Sequence, residues 1–155
     1  LTREAERRGG RMSQVESQSI EVTTDRSRLD LDVIHGFLAR SYWARGIPRE
    51  TVARSIEHSL CFGAFDADRQ VGFARVISDR ATFAYICDVF ALESHRGVGV
   101  GKSLMAAIMS HPEPQGLRRW TLFTRDAHGL YRQYGFGVPG HPERLMEVVD
   151  SEPYR

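Results

Sequence analysis

Cysteine is scarce in this chain, and so is any excess of charge of one sign. The two cysteines, Cys61 and Cys87, stand far apart within apolar runs, which favours reduced core thiols over a disulfide or a zinc site. Lys and Arg total 21 against 20 for Asp and Glu, so no bulk field would attract a nucleic acid or an anionic membrane. We therefore expect no nucleic-acid partner and no metal, and any anion must bind at a local site.

Long hydrophobic runs are lacking as well. No stretch approaches the roughly 20 apolar residues that a membrane-spanning helix needs, and the first residues lack the apolar core of a signal peptide. These features predict a cytoplasmic protein without a membrane partner. The chain has 155 residues, of which 41% are hydrophobic. A chain of that size can form one compact domain that buries roughly 70% of the surface its unfolded form would expose.

The order of sequence patterns predicts one domain between two tails. We expect an N-terminal tail over residues 1–19, a single domain over 20–150 and a C-terminal tail over 151–155. The hydrophobic periods predict a strand from residue 20, two helices, strands at 60–65, 70–77 and 82–92, a helix from 100, a strand at 120–124, a short helix and a closing strand at 144–149. Strands that alternate with helices in the second half indicate an α/β fold (α+β in some schemes), with a mixed sheet covered on both faces.

The most informative segment is LESHRGVGVGKSL at residues 92–104, where glycines alternate between a buried strand and an amphipathic helix. Free amides at a helix N-terminus favour an anion, and glycine lets a phosphate approach the main chain. The spacing fits neither a Walker A loop, since only three residues separate Gly97 from Gly101, nor a dinucleotide fingerprint. The pattern Arg-x-x-Gly-x-Gly fits in full, as Arg96, Gly99 and Gly101. A tight strand-to-helix turn without a ligand is the alternative.

A second motif, TRDAHGLYRQYGF, follows at residues 124–136. Together the two motifs resemble the GCN5-related N-acetyltransferase (GNAT) superfamily, whose pyrophosphate loop has the form Arg-x-x-Gly-x-Gly and whose later stretch ends in Leu-Tyr-x-x-x-Gly-Phe, here Leu130, Tyr131, Gly135 and Phe136. The resemblance covers about residues 20–149. It implies a mixed, mostly antiparallel central sheet flanked by helices, with splayed central strands. Thr124 departs from the family, because many relatives carry there an asparagine that helps to hold the cofactor.

The activity that the resemblance implies is acetyl transfer from acetyl-CoA to a primary amine of a small molecule or peptide. Because no side chain stands out as a covalent acyl carrier, we expect direct attack in a ternary complex. The alternative is a non-catalytic acyl-CoA sensor or interaction module on the same fold. A homodimer is compatible with the sequence, since relatives often pair through terminal strands.

The resemblance also assigns residues to the cofactor. Backbone groups of Val89, Phe90 and Ala91 would hold the pantetheine arm and the thioester oxygen. The pyrophosphate would be held mainly by backbone amides of the glycine loop, with its two cations nearby. This set comprises Arg96, Gly97, Val98, Gly99, Val100, Gly101 and Lys102.

Tyr131 is the predicted general acid, because a phenol with a pKa of about 10 is protonated at neutral pH and can donate to a departing thiolate. A core aromatic is its alternative. Asp88 is the predicted general base, as the only charge in an eleven-residue apolar stretch; pairing with a neighbouring arginine is the alternative. His128 would be a base or relay, or merely a capping or surface residue. Tyr42 and Trp43 would cover the acceptor amine, unless they fill the core.

Overall fold

The computed structural model describes residues 19–155, so the predicted N-terminal tail lies outside the described residues except at its last position. Five strands form one sheet in the order β1-β2-β3-β4-β5. β1, β2, β3 and β4 pair antiparallel in turn, and β5 pairs parallel to β4. The sheet is therefore mixed and mostly antiparallel, as predicted. The strands are β1 Ile20–Thr23, β2 Leu60–Asp66, β3 Arg69–Ser78, β4 Phe83–Ala91 and β5 Arg119–Leu122.

Four α-helices accompany the sheet within residues 19–155: α1 Leu31–Leu38, α2 Arg49–Glu57, α3 Val100–Ser110 and α4 His128–Arg132. The start of α1 is fixed by Asp30, whose carboxylate accepts hydrogen bonds from the amides of Asp32 and Val33. Pro48 stands directly before α2, at a position where its missing N–H costs nothing. None of these helices is long and apolar enough to cross a membrane.

The core lies on both faces of the sheet. α3 buries Val100, Leu104, Met105 and Ile108 against one face. On the other face α1 and α2 bury a second cluster, which includes Ile34, Leu38, Val52, Phe73 and Phe90. The prediction of a sheet covered on both faces is confirmed.

α3 approaches the sheet most closely at Gly72 on β3. A Cβ atom added there would lie 2.6 Å from Cγ1 of Val100 and 3.0 Å from the carbonyl oxygen of Phe90. Glycine thus lets the first turn of α3 sit directly on the sheet. This close approach sets the position of the loop before the helix.

The predicted closing strand at 144–149 is wrong. After Phe136 the chain passes through a 3₁₀ turn at Pro142–Arg144, and no strand follows within the described residues. Residues 141–150 are all exposed. The apolar and β-branched residues there explain the prediction, but a strand also needs a neighbour for its backbone, and the outer edge of β5 does not receive this segment. We call residues 145–149 the C-terminal strap.

Candidate active site

A cleft opens where β4 and β5 diverge. The two strands pair from Phe83 opposite Arg119 to Ile86 opposite Leu122. β4 continues to Ala91, and beyond Ile86 its described pairing is to β3 alone. The splayed central strands that the resemblance implied are therefore present. The backbone of Val89, Phe90 and Ala91 borders this cleft, where predicted contacts to a pantetheine arm would be made.

Asp88 marks the point where β4 turns away. Its φ of 54° lies in the left-handed region, and the register with β3 shifts here. A residue other than glycine keeps such a backbone only where its surroundings hold it. Two side chains do so: the Nε–H of Arg75 donates to Oδ2 of Asp88 over 2.9 Å, and the indole N–H of Trp43 donates to Oδ1 over 3.0 Å.

The carboxylate of Asp88 is thus engaged through both oxygens. Its side chain is only 10% exposed, and that of Arg75 is 16% exposed. Arg75 also donates to the hydroxyl of Ser59, which secures the guanidinium from its other side. The arrangement matches the alternative of an arginine-paired carboxylate, and the role of Asp88 as general base stays a prediction.

The glycine loop lies at the N-terminus of α3. Gly97 and Gly99 have φ values of 77° and 88°, which favour glycine, and the helix begins at Val100. Among the hydrogen bonds of residues 19–155, the first amide after Arg96 that donates to the backbone is that of Ser103. The amides of residues 97–102 are therefore free to point at a ligand. A cavity of about 350 Å³ lies against them, lined also by Ala91 and Leu130.

The free amides of residues 97–102 and the cavity against them form a cradle that fits a diphosphate. Six consecutive free amides combine with the positive end of the α3 dipole. Arg96 and Lys102 are exposed beside the loop and add local positive charge. Coenzyme A carries a diphosphate, so the loop can bind it without the attraction of a large net positive charge on the whole chain.

His95 anchors the loop from beneath, and sequence reasoning missed it. The residue is 7% exposed; its Nε2 lies 2.8 Å from Oδ2 of Asp66, and its Nδ1 lies 2.8 Å from Oγ of Ser94. These hydrogen bonds join the loop to the end of β2. The only signal in the sequence is the position of His95 just before the arginine of the motif.

α4 is fastened to the same loop. A Cβ at Gly101 would lie 3.1 Å from Leu130, so the helices touch there. The hydroxyl of Tyr134 donates to the carbonyl oxygen of Lys102 over 3.0 Å. Tyr131, between these two contacts in sequence, is held at a fixed place relative to the cradle.

Tyr131 is 8% exposed and packs edge-on against Phe136, with ring centroids 6.2 Å apart. It lines a larger cavity of about 630 Å³ between β5, α4 and the segment that follows. Burial, together with the nearby Tyr42 and Asp126, raises the pKa of Tyr131 to about 12. The phenol is therefore protonated at neutral pH, as a general acid must be.

The loop between α1 and α2 spans the mouth of the cleft. Tyr42 and Trp43 are 50% and 41% exposed, and their rings pack edge-on at 5.0 Å. Trp43 reaches Asp88, as described above. The hydroxyl of Tyr42 accepts from the amide of Arg125 over 3.3 Å, and the Arg125 guanidinium lies 3.9 Å above the Tyr42 ring. The structure thus joins Trp43 to Asp88 by a hydrogen bond and places Tyr42 near Tyr131.

Thr124 and His128 have local roles in the described structure. The hydroxyl of Thr124 accepts from the amide of Ala127 and stabilises the turn before α4. His128 is exposed at the first position of α4 and lines the larger cavity. Within residues 19–155 no group of three or more His, Cys, Asp or Glu residues is placed to hold a metal ion.

Both cysteines are free thiols. Burial raises the pKa of Cys61 to about 11 and that of Cys87 to about 12. Thiols with such pKa values are protonated at neutral pH and are poor nucleophiles. Neither cysteine is therefore suited to carry an acyl group.

Comparison with known proteins places these features in a family. The model of the Acetyltransferase (GNAT) family matches residues 30–136. A crystal structure of a GNAT-family protein from Xanthomonas campestris pv. campestris is 55% identical and covers 88% of this chain and 96% of its own, with a TM-score of 0.85. Serotonin N-acetyltransferase 2, chloroplastic, of Oryza sativa subsp. japonica is 27% identical over 90% of this chain and 72% of its own. A Clostridium acetobutylicum acetyltransferase structure with acetyl-CoA shares the fold at 12% identity and a TM-score of 0.60, over 85% of this chain and 95% of its own.

Proposed function

Because the chain belongs to the GNAT acetyltransferase family, we propose that it transfers an acetyl group from acetyl-CoA to the primary amine of a small molecule or peptide. The amine attacks the thioester directly, with both substrates bound. The free amides of residues 97–102 carry this proposal, because they offer a diphosphate cradle directly beside the cleft between β4 and β5. The acetyl-CoA in the Clostridium structure supports the same cosubstrate.

Acetyl-CoA supplies an acetyl thioester; the chain supplies position and proton transfer. The amides of residues 97–102, with Arg96 and Lys102 beside them, bind the pyrophosphate. Backbone groups of Val89, Phe90 and Ala91 orient the pantetheine arm and support the thioester oxygen as negative charge develops. As the N–C bond forms and the C–S bond breaks, the Tyr131 hydroxyl gives its proton to the departing sulfur. The proton released by the amine leaves through a base, for which Asp88 is the candidate, or through water.

The acceptor binds at the mouth formed by Tyr42 and Trp43. The exposed Trp43 ring presents an apolar face and a negative quadrupole, which attract an ammonium group before it loses its proton, while the Tyr42 ring is already stacked with Arg125. The rice relative is named a serotonin N-acetyltransferase, and serotonin is an amine. This supports an amine as the acceptor of this chain. The exposed aromatic pair accommodates either a small amine or the N-terminus of a peptide.

The direct test measures two properties of the purified full chain. Isothermal titration calorimetry with acetyl-CoA measures binding, and release of free thiol from acetyl-CoA measures transfer across polyamines, amino acids, aminoglycosides, arylalkylamines and peptide N-termini. Saturable, amine-dependent thiol release supports the proposal. Binding without turnover on any amine supports the acyl-CoA sensor instead, and absence of binding contradicts both.

Gly99→Val tests the cradle. Valine at φ 88° is strained by about 1–2 kcal/mol, while no atom within 4 Å opposes its Cβ, so the main effect is a distorted loop backbone. We expect the Kd for acetyl-CoA, measured by calorimetry, to rise at least tenfold. Arg96→Ala should raise it less, because the amides contribute more than this exposed cation.

The matched control is Gly116→Val. Gly116 also has a positive φ, 69°, with open space around it, but it lies outside the cradle. It should lower thermal stability about as much as Gly99→Val while leaving the Kd unchanged. Equal Kd values for the two variants would show that loop geometry does not control binding.

A further inference from the structure

One face of the sheet is covered by helices over only part of its width. α1 and α2 pack on the face that carries Cys61. The same face continues through Arg75, which lies opposite Cys61, to the next row, in which Ile77, Tyr85 and Thr121 lie side by side. Ile77 is 41% exposed and Tyr85 is only partly buried. Within residues 19–155 the helical cover therefore ends before this row.

The uncovered part of this face is apolar and aromatic. Phe83, two residues before Tyr85 on β4, is 40% exposed, and Phe123, directly after β5, is 60% exposed. The rings of Tyr85 and Phe123 pack edge-on with their centroids 5.9 Å apart. We call Ile77, Phe83, Tyr85 and Phe123 the aromatic face. A contiguous exposed apolar patch on a protein surface marks a binding site more often than chance.

The aromatic face adjoins the candidate active site at two points. The indole of Trp43 donates to Asp88, which follows Tyr85 by three residues on β4. The hydroxyl of Tyr42 accepts from the amide of the second residue after Phe123. The loop between α1 and α2 is thus tied to both strands that diverge at the cleft. An acceptor whose amine enters the cleft from this side has the aromatic face against the rest of its body.

The charges around this face suit an acceptor with a single amine. Asp88 is paired with Arg75, so their charges cancel. Burial raises the pKa of Tyr85, and its phenol is therefore neutral at pH 7. Asp126, next to the mouth, lies 4.0 Å from the Arg125 guanidinium. A polyamine or an aminoglycoside would leave its further ammonium groups against an apolar surface, which offers them no carboxylate.

The backbone beneath the aromatic face is already paired. β4 lies between β3 and β5 here, antiparallel to the first and parallel to the second. The N–H and C=O groups of such an inner strand are used in its two ladders, so the main chain of a peptide would find no partners on it. Side-chain contacts remain, and these suit a small molecule with an apolar body.

We propose that the aromatic face is the subsite for the body of a small arylalkylamine, whose single amine is directed past Trp43 to the thioester. This inference rests on the proposed acetyl transfer and names its substrate class. Tyr85 and Phe123 determine specificity, because the planar ring of the acceptor packs against their rings. Phe83 lies at the far end of the face, about 17 Å along β4 from Asp88, against about 10 Å for Tyr85. A one-ring acceptor therefore reaches Tyr85 and not Phe83.

Selectivity between two acceptors tests this subsite. Thiol release gives kcat/KM for phenethylamine and for spermidine, and we expect the parent chain to prefer phenethylamine by about tenfold or more. Tyr85→Thr and Phe123→Thr should each lower this preference roughly tenfold, because a ring contact is lost while a β-branched residue still suits the extended backbone. Tyr85→Phe should keep the preference, since it keeps the ring. The matched control Phe83→Thr, on the same strand and face, should keep it as well.

Thr121→Glu tests the charge argument by a gain of activity. Thr121 lies beside Tyr85 in the register of β4 and β5, so the new carboxylate stands on the same face. We expect kcat/KM for spermidine to rise and that for phenethylamine to fall. A folding defect would lower both values, and a fall in both would contradict the placement of the acceptor on this face.

Calorimetric binding separates a failure of this inference from a failure of acetyl transfer. Phenethylamine and spermidine are titrated into the full chain with and without coenzyme A. If no amine supports thiol release but phenethylamine binds more tightly than spermidine, and Phe123→Thr removes the difference, then the transfer fails and the aromatic face stands.

Three results overturn the inference whatever the rate of thiol release. The first is that phenethylamine does not bind, or binds less tightly than spermidine. The second is a preference that Tyr85→Thr and Phe123→Thr leave unchanged. The third is a peptide with N-terminal phenylalanine that binds more tightly than phenethylamine, because the face would then be a peptide site.

Discussion

Tyr131→Phe is expected to lower kcat for acetyl transfer about 100-fold or more, the contribution typical of a positioned general acid. The substitution removes one hydroxyl from a side chain that is 8% exposed and leaves the ring packed on Phe136. Acetyl-CoA affinity should stay near the parent value, because the cradle amides lie on another element. Steady-state thiol release and calorimetry measure the two quantities.

The pH dependence gives the same role a second readout. The acid works only while it is protonated, so activity that depends on Tyr131 is lost as pH rises through its pKa. Because burial raises that pKa to about 12, Tyr131 should produce no fall in kcat between pH 6 and 10. An unperturbed phenol, with a pKa of about 10, would begin to lose activity within that range.

Tyr134→Phe is the matched control for Tyr131→Phe. It removes the tyrosine hydroxyl three residues further along the chain, which donates to the Lys102 carbonyl oxygen. We expect a modest change in acetyl-CoA affinity and little change in kcat. If Tyr131→Phe keeps the parent kcat, Tyr131 is only a core aromatic, and the proton for the sulfur comes from elsewhere.

Arg75→Met is expected to lower the free energy of unfolding by roughly 3–5 kcal/mol, the usual cost of leaving a buried charge without its partner. Both members of the Arg75–Asp88 pair are largely buried. Loss of Arg75 also leaves the left-handed backbone of Asp88 supported by Trp43 alone. Urea denaturation followed by circular dichroism measures the effect. The double variant Arg75→Met/Asp88→Asn should recover part of the loss, because no unpaired charge remains and asparagine tolerates the left-handed backbone. Failure of any recovery would contradict this account.

Asp88→Asn separates the two roles available to Asp88. The amide oxygen can still accept from the Trp43 indole, but the negative charge is gone. If Asp88 is the general base, kcat falls sharply while KM for the amine and the free energy of unfolding change little. If Asp88 instead holds the strand and the Trp43 loop in place, KM for the amine rises and unfolding becomes easier. An Asp88→Asn chain with parent kinetics and stability would contradict both roles.

Features encoded within a few neighbouring residues could be predicted from the sequence. The glycine loop is one, because the spacing of Arg96, Gly99 and Gly101 reflects the local needs of a strand-to-helix turn. The position of Tyr131 on a short helix is another. Hydrophobic periods predicted the strands β1 to β5 in their order along the chain. The family resemblance implied the splay between β4 and β5.

Contacts between distant residues could not be predicted in this way. Trp43 and Asp88 are 45 residues apart, and the contact of Tyr42 with Arg125 spans 83. His95 reaches Asp66 across 29 residues. No hydrophobic periodicity in the sequence marks these contacting pairs, because each contact depends on how the sheet folds. The strap failed as a predicted strand for a related reason: its residues favour extended backbone, but pairing depends on a neighbour that local sequence does not specify.

The two tryptophans of the chain stand in different parts of the candidate site, since Trp120 lines the same cavity as Tyr131 and Trp43 contacts Asp88. Trp43 lies at the mouth of the cleft with its indole N–H on Asp88, and Trp120 lies on β5 along the open edge. The fluorescence of the two tryptophans therefore reports on two different parts of the protein. With Trp120 replaced by phenylalanine, the remaining fluorescence comes from the mouth of the cleft alone. With Trp43 replaced, it comes from the sheet edge.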